Sequence, residues 1–219
     1  MGHKINPTGF RMGITEAHRS VWFAKGRKYS QLVLQDAQIR DHLKQKFYGA
    51  AIEKILLERK ADRLVVTLHA GRPGVIIGKR GAEIDALTKN LEKLAGQAVK
   101  VQIQEVRKPD ICAQLVAENV AEQLERRGSF RRAMKRAVEN AMREGAKGIL
   151  IKIGGRLGGA EIARVERDHA GSVPLNSLNS RIDYGYAIAR TSAGSIGVRT
   201  WVNHGKYVDQ KPQQQQKDG

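Results

Sequence analysis

The segment that most restricts the fold is Gly74-Val-Ile-Ile-Gly-Lys-Arg-Gly81, a glycine-rich turn with an apolar run in front and two bases inside. Residues 52–59 and 63–69 read as two strands rich in Ile, Leu and Val, and Lys60-Ala-Asp62 suits a hairpin between them. After the turn, Ile84, Leu87, Leu91 and Leu94 recur at helical spacing, which predicts a helix over about 82–95 with one apolar stripe. Gly96 stands where a C-cap glycine belongs. Val99, Val101 and Ile103 alternate with Lys100, Gln102 and Gln104, the pattern of a strand with one wet face. A helix near 38–48 precedes the first strand. The order is helix, two strands, glycine turn, helix, strand. A nucleotide-binding P-loop fails here: it needs four residues between its glycines and Ser or Thr after the Lys. Only Val75, Ile76 and Ile77 separate Gly74 from Gly78, and Arg80 follows Lys79.

Glycines without a Cβ let a sugar-phosphate backbone come close. A following helix presents free N–H groups and its positive dipole end to phosphates, and Lys79 and Arg80 add charge. Val75–Ile77 is expected to anchor the turn to the sheet. The stretch matches Val-Ile-Ile-Gly-x-x-Gly and so resembles the KH family of RNA-binding domains, in the type II order of elements. That resemblance implies that Gly78, Lys79, Arg80 and Gly81 clamp a few nucleotides of single strand. Two other Gly-x-x-Gly runs occur. Gly194-Ser-Ile-Gly197 holds no base and leads into a strand, so it reads as a turn. Gly155-Arg-Leu-Gly158 follows a strand directly, and is either a phosphate contact through Arg156 or a structural turn.

The chain of 219 residues carries 39 Lys+Arg against 22 Asp+Glu, a formal net charge of +17, with 41% hydrophobic residues. It is therefore no disordered basic tail but has apolar material for a core. No apolar run approaches the roughly 18 residues needed to cross a bilayer, and the N-terminus lacks a signal-peptide pattern. The single cysteine, Cys112, forms no intrachain disulfide and reads as a small core residue, which fits a reducing cytosol. The basic excess is spread over the whole chain, which favours nucleic acid over an anionic membrane as partner.

The second half again mixes helices and strands. Residues 111–126 are expected to be helical, with Pro109 and Asp110 at the start and Ile111, Leu115, Val120 and Leu124 inward. Ser129 is placed to cap a helix whose Phe130, Met134, Ala137 and Met142 face inward, with Gly145 ending it. Strands follow at 149–153, around Ile182-x-Tyr-x-Tyr-x-Ile188 and around Ile196–Val202, the last two joined by a loop over Thr191–Ser195. The class is α/β (α+β) with two α/β domains, the second a mixed α/β sandwich. The expected divisions are a basic extension at 1–38, the KH domain at 39–107, the C-terminal domain at 108–209 and a disordered Gln-rich tail at 210–219. On a helix from Ser129, Arg131 and Lys135 are i, i+4, as are Arg132 and Arg136, all on one side. Like charges at this spacing cost a few tenths of a kcal/mol per pair. A track for a phosphate backbone explains why they are kept, and the arginines can also stack on unpaired bases.

The whole chain resembles the bacterial-type small-subunit ribosomal protein S-three family. The resemblance rests on the Gly-His-Lys-Ile-Asn-Pro-x-Gly-Phe-Arg-x-Gly-Ile run at 2–14, the KH segment, Glu105-Val-Arg-Lys-Pro109 and Gln123-Leu-Glu-Arg-Arg127. It rests further on Phe130-Arg-Arg-Ala-Met-Lys-Arg-Ala137, Gly155-Arg-Leu-Gly-Gly-Ala-Glu-Ile-Ala-Arg164, Val173-Pro-Leu and Ile182-Asp-Tyr. It implies a structural constituent of the small-subunit head that binds rRNA, with ribosomal proteins S-ten and S-fourteen as neighbours. The basic helix, through Arg131, Arg132, Lys135 and Arg136, would line the channel by which messenger RNA enters and support unwinding of its structure. Lys4, Arg11, Arg127, Arg156 and Arg164 are expected rRNA contacts. The implied location is the cytoplasmic ribosome, or that of an organelle of bacterial descent. Departures fall in the last third: Arg167 after Glu166 where the family usually has Trp, Ser172 and Asn179 in place of usual bases, Ser192-Ala-Gly194, and a glutamine run for the familiar basic tail.

No enzyme is expected. The six histidines are scattered without Cys/His ligand spacing, so neither a metal nor a cofactor is anticipated, nor a small-molecule substrate or a membrane. Glu161 and Glu166 near Arg164 read as a salt-bridged surface. The competing view is a free RNA-binding regulator built on a KH domain, from which the N-terminal run at 2–14 argues away.

Overall fold

A computed structural model of the chain describes residues 4–60, 62–78 and 81–207. The chain forms two compact units: Ala17–Arg107, and the chain up to Glu16 together with the chain from Lys108 onward. The stretch 1–38, expected as one extension, is thus divided between them. The glutamine-rich run at 210–219 lies outside the described residues.

In the Ala17–Arg107 unit, α2 (Arg27–Lys46) leads into β2 (Ile52–Arg59), β3 (Arg63–Ala70), the short α3 (Pro73–Ile77), α4 (Ala82–Ala95) and β4 (Ala98–Glu105). A two-residue β1 (Ser20–Val21) pairs parallel to β2, β2 antiparallel to β3, and β3 parallel to β4. Leu57, Leu64, Val66 and Leu68 of the sheet, Ile39 and Leu43 of α2, and Leu87 and Leu91 of α4 are fully or almost fully buried together. The predicted stripe of α4 holds except at its end, where Leu94 is exposed and Ala95 is buried. Three turns of helix take about 11 residues, which puts Ala95 under Ile84. Gly96 ends the helix in the left-handed region.

The helix expected near 38–48 begins instead at Arg27. Its early turns lack an apolar stripe and are held by a buried carboxylate. Asp36 accepts hydrogen bonds from Ser20 Oγ (3.0 Å), Trp22 Nε1 (2.8 Å) and Arg59 Nη2 (2.6 Å), joining β1, α2 and β2 at one point. Arg40 on the same helix donates to the Ile55 and Arg19 carbonyls. Its pKa lies below the ordinary arginine value, chiefly because burial disfavours its charge, partly offset by Asp36.

In the other unit, α5 (Ala113–Glu125) and α6 (Phe130–Arg143) are followed by β5 (Gly148–Gly155), β6 (Arg164–Gly171), β7 (Ser180–Thr191) and β8 (Gly194–Lys206), an antiparallel sheet in the order β6-β5-β8-β7. Ile149, Ile151, Ile153, Val198 and Val202 form a core with Ala117, Val120 and Leu124 of α5 and Met134 and Ala141 of α6. Met142, expected inward, is exposed, and Val138 is buried in the α6 stripe. Pro109–Ile111 forms a separate 3-10 turn, so α5 starts two residues late. Its first N–H is capped from a distant strand: Ala113 N donates to Asp183 Oδ2 at 2.8 Å, and Thr200 Oγ1 donates to Ala113 O at 2.6 Å. Gly185 makes this docking possible, since a Cβ there would sit 2.2 Å from Ala113 O. The alternation of β7 is present, but its small residues Gly185, Ala187 and Ala189 face the helices. Tyr186 and Ile188 stand exposed on the opposite face. The loop expected over 191–195 tightens to Ser192 and Ala193, with Thr191 paired to Gly194.

The N-terminal run forms α1 (Pro7–Arg11), started by Asn6, whose side chain accepts from Thr8 N at 2.9 Å, and by Pro at the first position. Arg11 is fully buried. Its guanidinium donates to the carbonyls of Ser180 (3.0 Å), Ser177 (2.7 Å), Leu175 (3.3 Å) and Pro7 (3.3 Å). Arg11 is therefore no rRNA contact in this fold: every donor group is turned inward and none of its surface reaches solvent. Glu16 continues the seam, 3.6 Å from Arg181 and accepting from Tyr207 Oη at 2.9 Å.

Two outcomes follow from these buried groups. Arg11→Ala strands four carbonyls and is expected to cost about 2–3 kcal/mol, with faster proteolysis within residues 4–16; unchanged cleavage would refute the tether. His69 on β3 is held neutral, its pKa lowered to about 4, first by burial and second by the charge of Lys54. Because the unfolded chain takes up this proton near pH 6.5 and the folded one only near 4, stability of the Ala17–Arg107 unit falls as pH drops through that window. His69→Gln should flatten the urea midpoint between pH 6.5 and 4.

Candidate nucleic-acid interface

The glycine turn is built as a hinge between two helices. Gly78 follows α3 with φ 70° and ψ −173°, a region open essentially to glycine alone. A Cβ there would lie 2.5 Å from Glu83 Cγ. Gly81, at φ 82°, occupies the N-cap of α4, where no side chain caps the helix; the first N–H groups of α4 are left without a side-chain acceptor. Glu83 and Asp85 sit in the first turn, and Glu83 is 3.9 Å from Lys46. These acids favour the helix dipole but moderate the positive end offered to a phosphate. Of the apolar triplet only Ile76 is buried; Val75 and Ile77 are exposed, so the turn is anchored by one residue rather than three. The exposed pair places apolar surface beside the turn. Lys79 and Arg80 lie outside the described residues.

In the other unit α6 carries Arg131, Arg132, Lys135 and Arg136, all exposed. The buried stripe of Ala133, Met134, Val138 and Ala141 turns the helix so that these four point outward. Ser129 stands at the N-cap but makes no side-chain cap. Phe130, half-buried at the first position, has a guanidinium near its ring from each of two elements: Arg131 at 5.5 Å and Arg164 of β6 at 5.7 Å from the ring centroid. Arg164 is also 3.6 Å from Glu166. The ring thus joins the helix track to the edge strand, a contact worth up to about 1 kcal/mol each at exposed sites. Phe130 also packs against the core, as its helical spacing predicts; its link to Arg164, 34 positions on, has no local signal in the sequence. Arg127, at the corner between α5 and α6, is exposed in the left-handed region at φ 57°, a strained setting for a residue with a Cβ. Lys4 is exposed.

The second Gly-x-x-Gly run is a structural turn. Leu157 is buried, Arg156 Nε donates to Ala160 O at 2.8 Å and its Nη1 to Ala193 O at 3.1 Å. Arg156 pins the end of β5 to the β7–β8 hairpin through Nε and Nη1, and its side chain stays exposed. Among the described residues no group of three or more His, Cys, Asp or Glu is placed to hold a metal ion, and no helix is long and apolar enough to cross a membrane.

Residues 38–111 match the KH domain family, and residues 120–202 match the family described as ribosomal protein S3, C-terminal domain. The chain is 52% identical to the small ribosomal subunit protein uS3 of Marinobacter nauticus over 208 residues, 95% of this chain and 92% of the relative. It is 52% identical to that of Granulibacter bethesdensis over 215 residues, 98% and 95% of the two chains. The chain belongs to the uS3 family. The uS3 protein of Desulforamulus reducens, 50% identical over 208 residues and 95% of this chain, spans the same two units. The uS3 family is one of ribosomal structural proteins rather than enzymes. Its match accounts for the fold order, with the KH segment carried almost wholly by Ala17–Arg107 and the C-terminal segment by the sheet, α6 and the last two turns of α5.

The hinge gives a direct expectation. Gly78→Ala introduces strain of about 1–3 kcal/mol and presses on Glu83. Hydrogen exchange of the first turn of α4 should accelerate, and equal protection in wild type and variant would show that the turn does not need glycine.

Proposed function

We propose that the chain is a structural constituent of the small ribosomal subunit that binds its rRNA in the head, beside ribosomal proteins S-ten and S-fourteen, and lines the path of entering messenger RNA. The observation that carries this reading is α6: four exposed cations on one side, extended through Phe130 to Arg164, with no acid in its first turn. Such a surface suits a phosphate backbone, and its arginines can stack on bases opened from a duplex. Arg131, Arg132, Lys135 and Arg136 take the messenger role. In the KH segment, proposed to form with the residues before it one RNA-binding domain, Gly78, Lys79, Arg80 and Gly81 take the clamp role, supported by the glycine-only backbone at Gly78 and the uncapped start of α4. Arg127, Arg164 and Lys4 supply further rRNA contacts. The place of work is the ribosome, in the cytoplasm or in an organelle of bacterial descent.

Sedimentation of a lysate tests membership: the chain should run with small subunits, and its persistence in the light fractions would overturn the reading in favour of a free regulator. For α6, replacing Arg131, Arg132 and Lys135 with Ala should leave assembly intact, since all three side chains are exposed. Translation through a messenger hairpin should slow while unstructured messages are read at the normal rate. Equal slowing on both would refute the unwinding role.

A further inference from the structure

The sheet β6-β5-β8-β7 has a second face, turned away from α5 and α6, whose composition the α6 track does not explain. Strand register places its side chains in rows. Lys152 is the direct partner of Arg167 on β6 and of Arg199 on β8, and Arg199 is the partner of Tyr186 on β7. Three bases therefore stand side by side across three strands, all exposed. Like charges directly opposite each other in a sheet are unfavourable, and no acid of these strands relieves them. Glu166, Asp168 and Asp183 pair with Ile153, Ile151 and Val202 and so belong to the helix side.

The neighbouring rows are apolar. On one side Leu150 stands between His169 and Trp201, and Trp201 pairs with Tyr184, their rings 5.5 Å apart and tilted. On the other, Val165 and Ile188 flank Gly154 and Gly197, whose missing side chains let the Tyr186 ring lie over Gly197, 3.7 Å from where a Cβ would stand, and a Val165 methyl lie against Gly154. Val165, Ile188 and Tyr186 are exposed. A cationic row bordered by rings, one of them lying over a glycine, and by exposed aliphatic side chains is a site for a strand that is anionic along its backbone and flat and apolar at its bases.

We propose that this face is a docking surface for single-stranded RNA, with phosphates on Arg167, Lys152 and Arg199 and unpaired bases on Tyr186 and the aliphatic flanks. The charge and the exposed Tyr186 ring beside Arg199, a stacking surface for a base, favour RNA over an acidic protein. The proposal rests on the RNA-binding reading above and adds a surface on the opposite side of the sheet from α6.

The test uses the full chain and a short oligouridylate carrying thiouridine, irradiated and mapped by mass spectrometry. Adducts are expected within residues 184–201 as well as on α6. The variant Arg167→Gln, Lys152→Gln, Arg199→Gln alters only exposed side chains. It should lose the sheet adducts, keep those on α6, and bind with a salt slope shallower by about 2, at roughly 0.7 per phosphate contact. Adducts on α6 alone, or an unchanged slope in the variant, would overturn the proposal and leave the face to a protein partner. Absence of adducts on both faces would overturn the RNA-binding reading itself.

Discussion

A guanidinium with no exposed surface governs the course of this chain. Taking a cation out of water is costly unless its donors are satisfied, and Arg11 meets four carbonyls, three of them in residues 175–180. Residues 4–16 therefore belong to the same unit as residues 108–207, and Ala17–Arg107 is carried as an insertion between the two parts. The contact is polar and directional. An apolar residue at position 11 would supply hydrophobic burial but leave the carbonyls of the 175–180 segment without these donors. Glu16 and Tyr207 reinforce the same seam.

The features legible in the sequence are those set by local rules. The bounds of β2 and α4 follow from period and caps, and the glycine spacing at 78 and 81 marks the turn, where Gly78 has backbone angles open essentially to glycine and Gly81 takes the left-handed region that favours it. The α6 track is legible for the same reason: helical spacing alone puts its four bases on one side. What sequence did not reveal depends on partners far along the chain. Arg11 was indistinguishable from a surface base, and the bonds of the exposed Arg156 were likewise hidden, because their acceptors are carbonyls, which carry no sequence signature. The edge strand β6 escaped notice because Arg164-Val-Glu-Arg-Asp-His-Ala-Gly171 has no apolar face to alternate. The first turns of α2 escaped because they depend on Asp36 meeting Ser20, Trp22 and Arg59, a polar hub with no periodicity.

The two units solve a shared problem in different ways. Each needs an acid where a helix or strand would otherwise lack a partner. In one, Asp36 is buried and neutralises Arg59, both side chains less than a tenth exposed. A buried pair of this kind contributes less net stability than its geometry suggests, yet removing one partner is severe, so it specifies the arrangement of β1, α2 and β2. In the other, Asp183 gives its carboxylate to the start of α5. Asp110, nearer in sequence, is not the cap.

These assignments explain how a chain with 22 acids still presents unrelieved basic faces. Several acids are committed to fixed partners: Asp36 to Arg59, Asp183 to α5, Glu16 to Arg181, Glu122 to Arg126, and Glu166 to Arg164. Among the described residues, none of the ion pairs includes Arg131, Arg132, Lys135 and Arg136 of α6 or Lys152, Arg167 and Arg199 of the sheet. Against a positive excess spread over the whole chain, these two rows are where like charges stand together without a fixed acidic partner. Repulsion within each row opposes the fold, and salt or a polyanion relieves it. A polyanion that binds the folded chain in preference to the unfolded one also stabilises it by mass action. The cost of keeping the bases together thus falls when the phosphate backbone they face is in place.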